Sequence, residues 1–547
     1  MTQQWMVVAE ADKIQTFVFR SARLREVAGA SQWLSEFCQD APEEILTQLG
    51  DQNTSSVIVA DGGSFTVTFT DKTAAKQFGP ALAQSYYRKT GATLTYTAEP
   101  VAYEGDSDFA DKVKDAHREL AAAKRGGHPP RAVAQGPYMA FCASCGIGLA
   151  HDHAILPDNA EGDAMDSRGQ YVCEACKNKA EKRWKKRGAF LGSFRDAVVG
   201  ASVQNDDWNF PKDAEQVGAW DPRRYVAYLV ADGNNMGLLF GHCQTQEEFQ
   251  ELSKALPRVV RESLAEPTKT MMKEIDTGQQ IPMLPLILGG DDVFVLLPAT
   301  YALDFALKFC AEYEKRMEKA LKDIFKDRQP PIRPTLGAAV VICKSSYPYL
   351  LAHRRGEYLL KAAKHLSKTV ALAKGNEAAH SAVHFDVILG SRLAVTDTAS
   401  QDYRGSLAPY WVGAPGDPEL GLSLETLLEQ RLALQSLPKR RLAQLRSLYS
   451  AQNLPQDKEN VMESGQWLAQ LTRILSRVAR DSNDLEKLCK ALKMLGDADK
   501  SGYWQYLNRY EPKSCTFYAH GLPDLLRMWD FSWKLDAPRN AYMERED

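Results

Sequence analysis

Four adjacent residues, Gly289, Gly290, Asp291 and Asp292, form a short acidic turn between two apolar runs at 284–288 and 293–297. Each run has the length and aliphatic content of a strand. The glycines permit a sharp turn and let a large ligand approach the backbone. Paired carboxylates together with substrate phosphates commonly bind Mg²⁺. Since Asp and Gly are also ordinary turn residues, the turn alone fits a solvated hairpin tip equally well.

A third carboxylate, Asp232, ends another apolar run at 225–231 and is followed by Gly233 and Asn234. Ligands gather at the carboxyl ends of strands in α/β sheets. If this strand lies beside the hairpin, Asp232 meets Asp291 and Asp292, and three crowded carboxylates need cations among them. The sequence therefore predicts a two-metal Mg²⁺ or Mn²⁺ site for nucleotidyl transfer, where one metal activates a hydroxyl and the other neutralises a triphosphate.

Two CxxC pairs, Cys142 with Cys145 and Cys173 with Cys176, flank a polar, glycine-containing loop. Four thiolates in two pairs suit a closed, structural tetrahedral Zn²⁺ site. A redox pair remains an alternative, and His151 or His153 in the loop could replace one thiolate. The pattern favours zinc, because paired CxxC motifs in a cytosolic chain rarely form disulfides.

Candidate ligands for a triphosphate are lysines on a predicted helix at about 348–373. Lys361, Lys364 and Lys368 are spaced so that neighbours share one face of that helix. An exposed lysine is more often simply solvated, so the alternative is an ordinary polar face. Lys364 is the first choice among the three.

Composition bounds the class of protein. With 547 residues the chain should form several domains, and 44% hydrophobic and 25% charged residues are ordinary for a globular protein. A net charge of −3 argues against bulk nucleic-acid binding. No stretch approaches the roughly 20 apolar residues of a membrane span, and the N-terminus lacks signal-peptide features. We therefore expect a cytoplasmic protein that does not contact membranes.

The predicted elements repeat one plan twice. Strands at about 5–9, 56–60 and 64–69 surround an Asp61-Gly62-Gly63-Ser64 turn, and with intervening helices they follow a ferredoxin-like β-α-β-β-α-β order. The strands at 225–231 and 284–297 begin a second copy, which suggests duplication. The first turn lacks paired carboxylates, so we expect it to support folding and partner contacts. Beyond about 396 the apolar spacing predicts a helical bundle.

These motifs, in this order, resemble the large polymerase-cyclase subunit of type III CRISPR effector complexes, which serve antiviral defence. The resemblance covers residues 1 to about 395. It rests on the opening segments 14–20 and 24–31, the 61–64 turn, the CxxC pairs, the 232–237 segment and the intact GGDD motif. It implies an α/β (α+β) fold in which two ferredoxin-like palm domains face each other across an ATP-binding cleft, with a zinc module between them and a helical C-terminal domain.

The resemblance also implies roles and boundaries. On target RNA binding, the second palm would join ATP into cyclic oligoadenylates, within a complex that holds CRISPR RNA and other subunits. Asp232, Asp291 and Asp292 would be catalytic metal ligands. Nucleotide contacts would come from Gly233, Asn234, Gly289, Gly290, Lys364, Lys368, Gly62, Gly63 and Ser64. The expected domains are a first palm (1–130), a zinc module with a basic helix (131–199), a linker (200–221), the catalytic palm (222–395) and the helical domain (396–547).

Two departures from the family's pattern and two alternatives stand beside this prediction. The chain starts directly in the first palm, so we expect no HD nuclease domain and no DNase activity. Asn234 stands where the family commonly has Asp, which could weaken metal binding. A basic run at 177–187 could contact RNA or a protein partner. The alternatives are a stand-alone cyclase that makes a cyclic dinucleotide and a scaffold subunit with a degenerate site.

Overall fold

The computed structural model describes most of the chain, and every structural statement below concerns those residues. They are 3–21, 23–51, 54–127, 136, 138–154, 169–182, 189–202, 208–326, 328–375, 379–389, 406–413, 422–435, 437–449, 464–477, 482–496, 505–509 and 515–537. Within these ranges, no helix has the length and apolar character needed to cross a membrane.

The first palm is a five-stranded antiparallel sheet with helices between its strands. Its elements are β1 (Gln4–Ala11), α1 (Ile14–Val18), α2 (Leu24–Leu49), β2 (Ser55–Asp61), β3 (Ser64–Phe69), α3 (Lys72–Thr90), β4 (Leu94–Tyr96), β5 (Val101–Tyr103) and α4 (Asp106–Gly126). The strand order is β2-β3-β1-β4, and β5 also pairs with β1. This is the ferredoxin-like arrangement that the sequence predicted.

A small module follows the first palm and leads into the second. Its elements are β6 (Asp152–Ala154), β7 (Gln170–Val172), α5 (Glu174–Lys182), α6 (Ala189–Val199) and α7 (Ala214–Gly218). Strands β6 and β7 pair antiparallel and bring the two CxxC segments together.

The second palm has a six-stranded sheet. Its elements are β8 (Tyr225–Gly233), α8 (Met236–Phe240), α9 (Gln246–Glu274), β9 (Leu284–Gly289), β10 (Asp292–Pro298), a 3-10 turn (Ala299–Tyr301), α10 (Ala302–Phe325), β11 (Leu336–Lys344), α11 (Tyr349–Lys374), β12 (Ala382–Val387) and β13 (Tyr410–Trp411). The order β13-β12-β11-β8-β10-β9 contains the same four-strand core as the first palm, extended by β12 and β13. Strand β13 lies within the segment predicted as the helical domain.

Strand β8 explains why the two palms are fixed to each other. It is buried on both faces, as its unbroken apolar run predicts. Ala227 and Leu229 point into a core formed with α9 and α10. Tyr228 and Val230 point the other way, into a core that also contains Val27 and Phe37 of α2 in the first palm. Because this second core is continuous across both palms, their facing edges form a defined cleft.

The C-terminal region is mainly helical, as predicted. Its elements are α12 (Leu424–Ala433), α13 (Lys439–Leu448), α14 (Ser464–Ser476), α15 (Ser482–Met494), β14 (Gln505–Arg509), β15 (Cys515–Ala519), α16 (Gly521–Arg527) and a 3-10 turn (Trp529–Phe531). The sequence did not predict the β14–β15 hairpin. Trp529 and Trp533 pack partly buried against the core, and Trp504 lies outside the described residues.

Candidate nucleotide-binding and metal site

The hairpin turns of the two palms meet tip to tip. Gly62 and Gly63 form the two-residue turn of β2–β3, and Gly290 and Asp291 form that of β9–β10. Gly62, Gly63 and Gly290 have φ of 58°, 82° and 60°, the left-handed region that glycine adopts without strain. A Cβ placed on Gly289 would lie 3.6 Å from the Cα of Gly62. The glycines therefore allow the turns both to close and to touch.

A cleft opens beside this contact, between the palms. The first palm lines it with residues of α1, α2 and the 61–62 turn, and the second palm with residues of β8, β9, β10 and α11. Asp232 and Asp292 are among the lining residues.

Strand pairing brings the three predicted carboxylates to one end of the sheet. Ala231 pairs with Val293 in antiparallel register, so Asp232 and Asp292 follow on neighbouring strands. Gly233 leaves room for the third carboxylate, because a Cβ there would lie 2.7 Å from Oδ2 of Asp291. The prediction that Asp232 lies beside the acidic hairpin therefore holds in the structure.

Crowding and burial make these carboxyl groups hard to ionise. Burial, with further contributions from the charges of Asp232 and Asp292, raises the pKa of Asp291 to about 8. Desolvation in the cleft, together with the charge of Asp232, raises the pKa of Asp292 to about 6. Part of the Asp292 side chain is nevertheless exposed to solvent. Cations relieve such repulsion, so the donor set fits divalent metal ions.

The carboxylates are near one another without forming a finished coordination shell. Among the described residues, the four zinc-module cysteines are the only group of three or more candidate ligands whose donor atoms all lie within 4.8 Å of one another. Asp232 instead forms an ion pair with Lys364, whose Nζ also donates to the carbonyl of Gly233 at 3.1 Å. Lys364 therefore reaches the site, whereas Lys361 and Lys368 on the same helix are exposed and do not line the cleft.

Asn234 is turned toward the sheet. Its backbone N–H donates to the carbonyl of Thr335 at 2.9 Å, and its side-chain amide donates to Oγ1 of Thr335 at 3.0 Å. The residue is buried, with 6% of its surface exposed. Asn234 thus fastens the end of β8 to the start of β11.

The cysteine cluster has the dimensions of a zinc site. The Sγ atoms of Cys145 and Cys173 are 3.9 Å apart. A regular tetrahedron with Zn–S bonds of about 2.3 Å has S···S edges of about 3.8 Å. The amide of Gly148 donates to Sγ of Cys145 at 3.4 Å, a contact that orients the thiolate. Cys142, Cys145, Cys173 and Cys176 therefore fit a structural zinc ion, and no histidine is needed.

Buried polar contacts join the zinc module to the first palm. The N–H₃ group of Lys179 donates to the carbonyl of Phe17 and lies 3.9 Å from the centre of its ring. The hydroxyl of Ser144 donates to the buried carboxylate of Glu26. A Cβ on Gly29 would lie 1.9 Å from the carbonyl oxygen of Lys179, so α2 and α5 cross in direct contact. Lys179 is therefore unavailable to RNA; residues 183–187 of the basic run lie outside the described residues.

Sequence reasoning missed four polar residues around the cleft. Asp61, His353 and Glu357 line the cleft. Arg261 of α9 lies close enough to Asp61 for its positive charge to oppose the rise in the pKa of that carboxyl that burial causes. Burial raises the pKa of Glu357, and the charge of Asp232 adds to that shift. A usable signal existed for two of them, because His353 and Glu357 are four residues apart and Glu357 precedes Lys364 by two helical turns.

Comparison with known proteins identifies the class of the second palm. Residues 225–373 match the family model described as Cas10/Cmr2, second palm domain. The segment is therefore similar to the second palm domain of this family, which confirms for this part of the chain the resemblance drawn from its motifs. A comparison with curated proteins found no match.

A comparison with solved structures finds Csm1 structures at low sequence identity. Csm1 in T. onnurineus is 14% identical with a TM-score of 0.49, covering 98% of this chain and 70% of that chain. A Csm1–Csm4 cassette in complex with pppApA is 12% identical with a TM-score of 0.49, covering 90% and 69%. A Csm1–Csm4 cassette in complex with AMPPNP is 13% identical with a TM-score of 0.44, covering 89% of this chain. The match spans 64% of that last chain, slightly less than two thirds of its length.

Proposed function

We propose that this chain is the large subunit of a type III CRISPR RNA-guided effector complex and that its second palm converts ATP into cyclic oligoadenylates when target RNA binds. One observation carries the proposal: Asp232, Asp291 and Asp292 gather beside a cleft between two palms, within a segment that matches the Cas10/Cmr2 second palm. The mixed fold and the cysteine cluster are consistent with it.

The reaction is a nucleotidyl transfer. A ribose hydroxyl of one ATP attacks the α-phosphorus of another, a new P–O bond forms, the bond to the β-phosphate oxygen breaks, and pyrophosphate leaves while the hydroxyl proton passes to water. Bound Mg²⁺ or Mn²⁺ would supply charge neutralisation and activation of the hydroxyl. Asp232, Asp291 and Asp292 would hold the metals, because their own repulsion favours cations between them.

Lys364 would hold a phosphate oxygen. Its ammonium group now lies on Asp232 and the Gly233 carbonyl, at the mouth of the metal site. With Asp232 coordinated to a metal ion, the ammonium group of Lys364 would be available to bind the triphosphate as a compact positive charge. The glycines at both turns would let the phosphates approach backbone N–H groups, and we retain Lys368, Ser64 and Asn234 as weaker candidates for nucleotide contact.

The site would work inside a cytoplasmic assembly with other effector subunits, CRISPR RNA and target RNA. The C-terminal helices offer a surface for small helical subunits, and the zinc module would stabilise the first palm. These assignments follow the family resemblance and the second-palm match.

The test is product formation from labelled ATP with Mg²⁺ or Mn²⁺, using the isolated chain and the full complex with target RNA. We expect cyclic oligoadenylates from the complex with RNA. Asp291→Asn combined with Asp292→Asn should abolish them. A matched control is Asp111→Asn with Asp115→Asn, two carboxylates on the surface of α4 that form only exposed ion pairs.

Other outcomes identify the alternatives. A cyclic dinucleotide made without RNA would favour a stand-alone cyclase. Absence of product under every condition, with no difference between the wild type and the double Asn variant, would leave a scaffold subunit.

A further inference from the structure

A hydrogen bond crosses from the first palm to the acidic turn of the second. The N–H of Gly290 donates to Oδ2 of Asp61 at 3.2 Å. Gly290 immediately precedes Asp291, so the contact lies one residue from the candidate metal ligands. Asp61 is part-buried, and it ends strand β2 in the first palm.

The contact is asymmetric although the two hairpins are equivalent. In the first palm Asp61 pairs with Ser64 across the turn, and in the second Gly289 pairs with Asp292. Asp61 therefore occupies the position of Gly289. Gly289 has no side chain that could accept an equivalent hydrogen bond from the turn of the first palm. The side-chain acceptor in this contact therefore comes from the first palm.

The surroundings of Asp61 act on its charge in opposite directions. Burial raises the pKa of the Asp61 carboxyl, and the positive charge of Arg261 on α9 partly offsets that rise. An ionised carboxylate is a strong acceptor, because charge-assisted hydrogen bonds are about twice as strong as neutral ones.

The acidic turn needs such support. It contains two consecutive glycines, whose backbones are the least restricted of any residue. It also carries Asp291 and Asp292, which repel each other and Asp232. Without an external partner for the Gly290 amide, repulsion would drive this flexible turn away from the position that holds Asp291 and Asp292 beside Asp232.

We propose that Asp61 is a positioning residue for nucleotidyl transfer: by accepting from the Gly290 amide, it keeps the acidic turn of the second palm in its place against the first palm. This inference rests on the proposed function for its activity readout. Activity would then depend on the relative placement of the two palms, through one hydrogen bond that the first palm supplies.

The kinetic test compares Asp61→Ala with Asp61→Asn. The Asn side chain keeps an oxygen acceptor of the same reach, so it should retain activity within about 3-fold. Removal of the acceptor in Asp61→Ala should lower kcat about 10–100-fold, since small misplacements of reacting groups have effects of this size. The KM for ATP should change less than about 3-fold. Equal losses in both variants, or a loss confined to KM, would overturn the proposal.

Asp71→Ala provides the matched control. Asp71 caps α3 of the first palm by accepting from the amides of Thr73 and Ala74 at 3.1 and 2.9 Å, and it does not line the cleft. This variant should lower the melting temperature of the protein while kcat stays unchanged. If Asp71→Ala reduced kcat as much as Asp61→Ala, the effect would be general destabilisation and the positioning role would be wrong.

A second readout does not depend on activity. The sequence has only three Gly-Gly pairs, at 62–63, 126–127 and 289–290. Glycine labelled with ¹³C at the carbonyl and ¹⁵N at the amide therefore gives one-bond N–C′ correlations only for the amides of Gly63, Gly127 and Gly290. Hydrogen exchange at Gly290 should accelerate about 10-fold or more in Asp61→Ala and stay near the wild-type rate in Asp61→Asn, with Gly127 as the internal reference.

The two readouts separate the possible failures. If the wild type makes no product but Gly290 exchange responds to Asp61→Ala, the proposed function fails and the contact stands. If product forms normally and exchange at Gly290 is the same in all variants, the positioning role fails and the proposed function stands.

Discussion

The two palms share a backbone plan and differ in the side chains at equivalent positions. At the hairpin tips, Gly63 and Ser64 of the first palm stand where the second has Asp291 and Asp292. The cross-palm Asp61 stands where the second has Gly289. The candidate metal ligands of the acidic turn therefore come from the second palm, while the first palm provides a carboxylate that contacts the backbone of that turn.

The strands β1 and β8, which lead into the cleft from the two palms, also share a backbone plan and differ in their side chains. Lys13 and Asn235 both adopt left-handed conformations, with φ of 50° and 55°, immediately before a short helix. One residue earlier, the amides of Asp12 and Asn234 donate 2.9 Å hydrogen bonds to the carbonyls of Thr93 and Thr335. Asn234 therefore occupies a position whose role in both palms is to fasten the strand end, so its lack of charge need not remove a metal ligand.

Glu10 of the first palm occupies the position of Asp232, and each is paired with a lysine from a later helix. Nζ of Lys124 lies 2.6 Å from Glu10, and Lys364 pairs with Asp232. In the first palm no acidic turn lies beside this ion pair, because Glu10 is in register with Ser64. The difference indicates that the ion pair belongs to the shared fold, and that the acidic turn beside it is particular to the second palm.

The largest expected effect tests that indication directly. Asp232→Asn should lower turnover at least about 10²-fold, the size expected when a preorganised charged group of an active site is lost. Glu10→Gln, its equivalent in the first palm, should change turnover less than about 2-fold. Steady-state rates of ATP consumption measure both. A comparable loss in the two variants would mean that the first palm also takes part in catalysis.

The cysteine-bearing part of the zinc module makes buried polar contacts with Phe17 and Glu26 of the first palm, so loss of zinc should affect the stability of that palm most. Cys176→Ser should remove zinc and destabilise that palm by about 2 kcal/mol or more, because loss of a structural metal is among the large effects of substitution. Hydrogen exchange by mass spectrometry should rise in α2 and α5. The β9–β10 hairpin should keep its core protection, and uniform loss across both palms would contradict this division. Cys489→Ser, a cysteine outside the cluster, is the control.

The two turns should also differ in their tolerance of a methyl group. Gly63→Ala places Cβ 2.5 Å from Cδ1 of Ile14 and forces alanine into a φ of 82°, whereas Gly290→Ala meets nothing within 4 Å at a φ of 60°. A left-handed conformation costs a non-glycine residue about 1–2 kcal/mol. Gly63→Ala should therefore destabilise by about 2 kcal/mol and Gly290→Ala by about 1 kcal/mol, as measured by calorimetry. The reverse order would show that the first turn can open without loss.

Much of this arrangement could be predicted from the sequence, because the signals are local. The GGDD turn lies between two strand-like runs, Asp232 ends a strand, and the CxxC pairs identify four ligands without any tertiary information. The repeated element order then predicted both palms. The helices after 396 followed from apolar spacing, because their amphipathic pattern is continuous over each helix.

The remaining features depend on how the palms are packed together. Asp61 reads as an ordinary turn residue, and only the meeting of the two hairpins shows that it accepts from Gly290. Lys179 belongs to a basic run that suggests a solvated face, yet the crossing of α5 over α2 buries it. Strand β13 is two residues long and pairs with a strand distant in sequence, so no periodicity could indicate it.

The smallest expected effect compares carboxylates of the two palms by their dependence on pH. In the folded protein the pKa of Asp291 is raised to about 8 by burial and by its acidic neighbours, from an ordinary value of 3.8. Between these values the folded state holds a proton that the unfolded state has released, so this group's contribution to stability falls as pH rises toward 8. Asp291→Asn should therefore gain about 1 kcal/mol over the wild type at pH 9, and less at pH 5.

The carboxylate of Asp71 in the first palm should show the opposite sign. Backbone amides of Ala74 and Thr73 lower its pKa, so its stabilising contribution is present at neutral pH and is lost on acidification. Asp71→Asn should thus lose stability at pH 7 relative to pH 3, as followed by melting temperature without added divalent ions. Adding Mn²⁺ at pH 9 should stabilise the wild type more than Asp291→Asn, because only the wild type offers the ionised ligand. A gain from Asp291→Asn that did not grow with pH would mean that the acidic turn is simply solvated and that its crowding does not favour metal.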